Sequence, residues 1–116
     1  VDGKTICATD AITFEFGKSN IKPESYDYLD KLAQTIRRSN RHVEVKGHTD
    51  NVGGDEFNMN LSRDRAKAVV NYLVSKGVNP DKLTYSYYGM RRPLSDNDTE
   101  EGRAKNRRVE FTIMNN

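Results

Sequence analysis

The chain has one cysteine, Cys7, no tryptophan, three prolines and a net charge of only +2 over 116 residues. A single thiol excludes an internal disulfide and any zinc centre built from several thiolates. No stretch approaches the roughly 18 consecutive apolar residues of a membrane-crossing helix. Val1 to Asp10 lacks the apolar region of a signal peptide, so the chain reads as a soluble domain. Its 19 Lys and Arg alternate with 17 Asp and Glu, which leaves no positive field of the size nucleic acid requires. Neither His48 nor His42 has another His at ligand spacing, so no metal and no cofactor are expected.

What is present fits one domain over residues 1–116, with a core from about 11 to 114. Hydrophobic residues are 34% and charged ones 31%, so the core must be small and most elements amphipathic. AITFEF, Ala11 to Phe16, alternates as a half-buried strand. Pro23 suits a first helical position and Glu24 and Asp27 favour a first turn. Leu29, Leu32, Ala33 and Ile36 recur at helical spacing, which predicts a helix from about Pro23 to Ser39.

Val43, Val45 and Gly47 alternate in a second strand that runs into the polar turn HTDNVGGDE. Leu61, Ala68, Val69, Tyr72 and Leu73 mark a second helix, with Asn58 as its expected cap and Gly77 just past its end. LTYSYYG, Leu83 to Gly89, and RVEFTI, Arg108 to Ile113, read as two further strands. Between them DNDTEEGRAKN predicts a short helical turn capped by Asp98 or Thr99. The expected fold is α+β: a β-α-β-α-β-β sandwich with right-handed crossovers, its mixed four-stranded sheet covered on one face by helices.

Chemistry concentrates in GHTDNVGGDEFNMNLSRDR, Gly47 to Arg65. Asp50 leaves the second strand into a glycine-rich loop, and Arg65 lies about two turns into the next helix, close enough to reach back. A carboxylate and a guanidinium at a helix N-terminus suit a zwitterion, one accepting from an ammonium and the other gripping a carboxylate. The same spacing also fits a purely structural pair, Asp50 bonding its own turn and Arg65 pairing with it, and surface ion pairs of that kind are common. Ser62, His48 and Asp50 are the residue types of a hydrolase triad, but Ser62 lacks a strained nucleophile elbow. Tyr85 and Tyr87 share a strand face and are expected to cover the sheet against the helices, with Tyr88 opposite. The C-terminal cations Arg91, Arg92, Arg103, Lys105, Arg107 and Arg108 are offset by Asp96, Asp98, Glu100 and Glu101.

GHTDNVG, FNMNLSRDRAKAVVNYL, YYGMRRPLSDN and EGRAKNRRVEF, in that order and spacing, resemble the OmpA-like peptidoglycan-binding domain over about Ile12 to Ile113. The family includes outer-membrane protein A, the peptidoglycan-associated lipoprotein and flagellar stator subunits. The resemblance implies a noncatalytic periplasmic anchor that holds the cell wall through the diaminopimelate residue of the stem peptide. Any membrane attachment would come through a tether outside this fragment, and homo-oligomerisation stays open.

Carried over by position, Asp50 matches the family's acidic ligand and Arg65 its arginine. Asn58 and Thr49 match polar residues of the same loop region. Phe16 and Gly17 match the exit of the first strand, where many members carry an acidic residue in place of Gly17. That difference is harmless if backbone N–H groups hold the ligand there and weakens affinity if a side-chain acceptor is needed. Arg103 and Arg107 fall in the GRAxNRR segment and are expected to shape the rim or brace Asp50. The alternative function is an RNA- or phosphate-binding sheet using Tyr85, Tyr87 and the C-terminal arginines.

Overall fold

The computed structural model describes residues 3–7, 12, 14, 17–39, 41–91 and 97–114. The elements run β1 (Gly3–Cys7), α1 (Tyr26–Arg38), β2 (His42–Gly47), α2 (Asp55–Ser75), β3 (Leu83–Tyr87), α3 (Glu100–Asn106) and β4 (Val109–Met114). The 4-stranded sheet has the order β1-β4-β2-β3. β4 runs antiparallel to both β1 and β2, while β2 and β3 are parallel. The sheet is therefore mixed, as the element order predicts.

Among the described residues the first strand is β1, which precedes AITFEF. Of that segment only Ile12 and Phe14 are described, both wholly or almost wholly buried in the core, and the rest of the expected strand lies outside the described residues.

α1 follows a 3-10 turn at Pro23–Ser25 and carries Asp27 in its first turn and Arg37 and Arg38 in its last, both favourable to the helix dipole. Its Leu29, Leu32, Ala33 and Ile36 pack into one cluster with Val43, Val45 and Phe111 of the sheet and Ala66, Val69 and Leu73 of α2. Each large side chain in that cluster contributes about 1.5–3 kcal/mol by leaving water. The other sheet face is polar: Ser86 Oγ donates to Glu44 Oε2 at 2.8 Å across the β2–β3 pair.

α2 begins at Asp55 with Gly54 as its N-cap, so Asn58 lies inside the helix and does not cap it. Its inward stripe is Asn58, Ser62 and Arg65 in the first half, then Ala66, Val69 and Leu73 in the second. One helix thus serves a polar junction and an apolar core with a single periodicity. Thr99 caps α3 by accepting from Gly102 N at 3.0 Å, as expected.

Register places Tyr85 beside Val45 and Tyr87 beside Gly47, on the helix side of the sheet. β3 is an edge strand, however, and the two rings stay 42% and 39% exposed, stacked on each other. They cover the helix-facing side only in part. Tyr88 lies on the opposite face, as expected, and stacks on His48.

Gly47 lets α2 approach β2 closely. A Cβ there would meet the Ser62 carbonyl oxygen at 2.1 Å, inside any real contact. Gly47→Ala is expected to cost more than about 3 kcal/mol, at the top of what overpacking does, read as a lowered urea midpoint. An unchanged midpoint would show that the two elements are not in contact there.

Candidate functional site

β2 ends at Gly47, and His48, Thr49 and Asp50 continue it into the loop that precedes α2. Thr49 N donates to Gly89 O at 2.9 Å and Gly89 N donates to Ser62 Oγ at 2.9 Å, so the exits of β2 and β3 are tied to α2. Ser62 is fully buried and its hydroxyl also donates to Met59 O at 2.8 Å, a structural role with no nucleophile geometry. Thr49 Oγ1 donates to Asp50 O at 2.9 Å.

Asp50 is 2% exposed. Its Oδ1 accepts from Val52 N at 3.1 Å, closing an Asx turn, and its Oδ2 accepts from Arg107 Nη1 at 2.9 Å. Arg107 is itself buried. Its Nε donates to Phe14 O at 3.2 Å and its Nη2 to Glu100 Oε2 at 2.6 Å. Burial pushes its pKa down, but the bonds to Glu100 and Asp50 outweigh that and hold it above the ordinary value. Glu100, which sequence reasoning treated only as surface counter-charge, is thereby held below the usual carboxylate range, chiefly by its bond from Arg107.

Arg65 has no exposed surface. Nε donates to Lys18 O at 2.8 Å, Nη1 donates to His48 O at 3.0 Å, and the guanidinium sits 5.0 Å over the Phe14 ring. Burial lowers its pKa to about 10, Asp50 pulls the other way, and the Arg107 charge adds to the lowering. It remains a cation at neutral pH. Asp50 and Arg65 therefore meet at one place, but Arg107 is the residue that bonds the carboxylate. Arg107 bonds Asp50 directly, whereas Arg103 donates to Asn97 O at 2.9 Å and Glu100 Oε1 at 3.4 Å, beside the turn before α3.

Asn58 Nδ2 donates to Val52 O at 3.1 Å and so fixes the loop. Gly17 is exposed with φ +70, a conformation an acidic side chain there would strain, and Lys18 beside it supplies its carbonyl to Arg65. Phe16 lies outside the described residues. Two grooves, of about 290 and 320 Å³, lie away from the pair, one lined by Asp30, Arg37 and Lys76 and the other by Leu32, Ile36 and Ile113. Among the described residues no cluster of His, Cys, Asp and Glu could hold a metal ion, and no helix is long and apolar enough to cross a membrane.

The polar sheet face holds a second linked set that sequence reasoning missed. His48 Nε2 bonds Glu110 Oε1 at 3.2 Å, and Arg108 donates to Glu110 Oε2 from Nε at 3.0 Å and Nη2 at 2.9 Å. The bond from His48 is the largest influence on Glu110. With Arg108 it overcomes burial and lowers the carboxyl pKa to about 2.

These features define an α+β sandwich with a buried junction of opposite charges where the strands β2 and β3 end. Residues 13–107 match the OmpA family, and the chain belongs to that family. It is 46% identical over 103 residues to outer membrane porin F of Pseudomonas fluorescens, covering 88% of this chain and 32% of that protein. It is 41% identical over 110 residues to the peptidoglycan-associated lipoprotein of Pseudomonas aeruginosa, covering 95% of this chain and 66% of the relative. The chain thus corresponds to a part of each.

Among solved structures, the peptidoglycan-associated lipoprotein of Burkholderia pseudomallei superposes with a TM-score of 0.85 at 27% identity, covering 88% of this chain and 87% of that one. The cell wall anchor of the T6SS from Pseudomonas aeruginosa superposes with 0.81 at 30% identity, covering 100% of this chain and 84% of its own. None of these names denotes an enzyme.

Arg107→Ala would strip Asp50 of its bonded cation and is expected to destabilise the fold by about 3–5 kcal/mol. Arg103→Ala, which loses only partly exposed partners, should cost about 1 kcal/mol or less, and paired thermal melts measure the difference. The depressed Glu110 pKa sets an acid limit. Its contribution is complete above the unfolded value near 4.5 and is lost as pH falls through about 2. Glu110→Gln should flatten the stability profile between those values, as denaturant titrations across acid pH would record.

Proposed function

We propose that this chain binds peptidoglycan noncovalently through the diaminopimelate residue of the stem peptide and carries out no reaction. The free end of that residue bears an ammonium and a carboxylate on one carbon. Asp50 accepts from the ammonium through the lone pairs left after its bonds from Val52 N and Arg107, and Arg65 faces the carboxylate. The supporting observation is the meeting of a buried carboxylate and a buried guanidinium at the mouth of one loop, each held by fixed bonds. Names among the relatives and structural neighbours, peptidoglycan-associated lipoprotein and cell wall anchor, point the same way. The reading places the domain in the periplasm, tethered by a segment outside this fragment.

Both charged groups are almost sealed from solvent, whereas Asn51, Val52, Gly53 and Gly54 are all exposed. The ligand therefore meets the glycine-rich loop first and gains the pair as that loop yields. Gly53 at φ +96 and Gly54 leave little side-chain bulk in its way.

One head group in a wet loop site supports about 4–8 kcal/mol, which is millimolar to micromolar affinity. Peptidoglycan repeats the epitope, and a tethered partner converts weak binding into a durable link through effective concentration. Against the phosphate-binding alternative, four of its arginines are paired among the described residues: Arg91 with Asp55, Arg103 with Glu100, Arg107 with Asp50 and Glu100, and Arg108 with Glu110.

Calorimetric titration with free meso-diaminopimelate is expected to show binding in that range, weakened about tenfold when the carboxylate is amidated. Asp50→Asn keeps the shape and should remove detectable binding, a loss of about 2–5 kcal/mol. Because Asp50 and Arg65 are buried, truncating either to Ala would also cost stability, so a thermal melt accompanies each variant. Unchanged titration with Asp50→Asn, or steep weakening by salt, would overturn the assignment.

A further inference from the structure

The His48 side chain belongs to the polar face of the sheet, while its carbonyl belongs to the junction on the helix side. Backbone continuity makes those two environments one object. On the polar face the ring is stacked on Tyr88 at 5.3 Å between centroids and bonded to Glu110 Oε1 at 3.2 Å. Glu110 is in turn gripped by Nε and Nη2 of Arg108. On the helix side His48 O accepts from Arg65 Nη1 at 3.0 Å, and Asp50 is two residues along.

From this we infer that His48 is a positioning residue: its clamped ring fixes the carbonyl that orients Arg65 and the exit direction of the chain that carries Asp50. Backbone bonds hold the chain here in part: β2 ends at Gly47, His48 N–H still donates to Arg108 O at 3.0 Å, and Thr49 N–H, in the same peptide unit as the His48 carbonyl, donates to Gly89 O at 2.9 Å. Those two units can still swing together about the His48 Cα, and a ring packed and bonded on the far side resists that motion. His48 is 1% exposed, so the clamp does not have to compete with solvent. Proton transfer and metal binding, the usual duties of a histidine beside an aspartate, are not needed to account for it.

The affinity arm of this inference rests on the diaminopimelate reading; the geometric arm does not. Nitrogen-15 NMR of the ligand-free protein reads the Arg65 Nε–H and Nη–H resonances directly. His48→Ala is expected to move or broaden them, Glu110→Gln to do so as well, and His48→Gln, whose amide can still donate to Glu110, to restore them. With meso-diaminopimelate, folded His48→Ala should bind about tenfold more weakly, the low end of what losing an outer support costs a ligand group.

Arg65 resonances that stay in place in folded His48→Ala would overturn the inference. If His48→Ala does not fold, Glu110→Gln and Tyr88→Leu decide in the same way, since each releases one side of the ring. If the wild-type protein does not bind meso-diaminopimelate, the ligand reading falls and the resonances still decide the role of His48.

Discussion

A guanidinium with no exposed surface, Arg65, sits where α2, the end of β2 and the loop at Lys18 come together. Taking such a group from water costs several kcal/mol unless its donors and charge are met. Two carbonyl oxygens, the Phe14 ring and the nearby Asp50 meet them, and the pKa falls only to about 10. The partners come from two stretches of chain, Phe14 and Lys18 on one and His48 and Asp50 on the other. The cost of burying one cation thus ties those two stretches to α2, and it explains why the inward stripe of α2 is polar for two turns before it becomes apolar.

Charge balance at the junction is asymmetric. Asp50 faces two guanidinium groups, Arg65 and Arg107, and the second carboxylate, Glu100, has a side chain 65% exposed. Solvent weakens the contribution of Glu100, so the buried part carries an excess of positive charge. The downward pull of Arg107 on the Arg65 pKa is one sign of that excess. Under the proposed binding mode such an interior would favour an incoming carboxylate, and the remaining lone pairs of Asp50 would accept from an ammonium beside it. An anion alone would leave those lone pairs unused, and a cation alone would meet two like charges.

Much of the fold was legible because its periodicities are local. β2, α1, the body of α2 and β4 follow from alternation, helical spacing and end signals in single stretches of sequence. In AITFEF the alternation marks side chains that are buried, as Ile12 and Phe14 are, while most of that segment lies outside the described residues. Asn58 misled because a polar residue near a helix start resembles a cap when it is in fact an inward group serving the loop. Asp50 and Arg65 stood out as opposite charges around one helix start. The bonds from Arg107 to Glu100 and from His48 to Glu110 did not, because they depend on the register of β4 against β2 and on the placement of α3, which no local pattern encodes.

Rigidity and weakness are compatible in this arrangement. A ligand group that must order flexible side chains loses about 0.5–1.5 kcal/mol for each one it immobilises. Asp50 and Arg65 are already fixed by bonds made within the fold, so a head group bound as proposed would spend little on ordering these two side chains. Its affinity would then be limited by how few atoms it offers. A lattice that presents the same head group many times would compensate for that limit without demanding a tight single contact that resists remodelling of the wall.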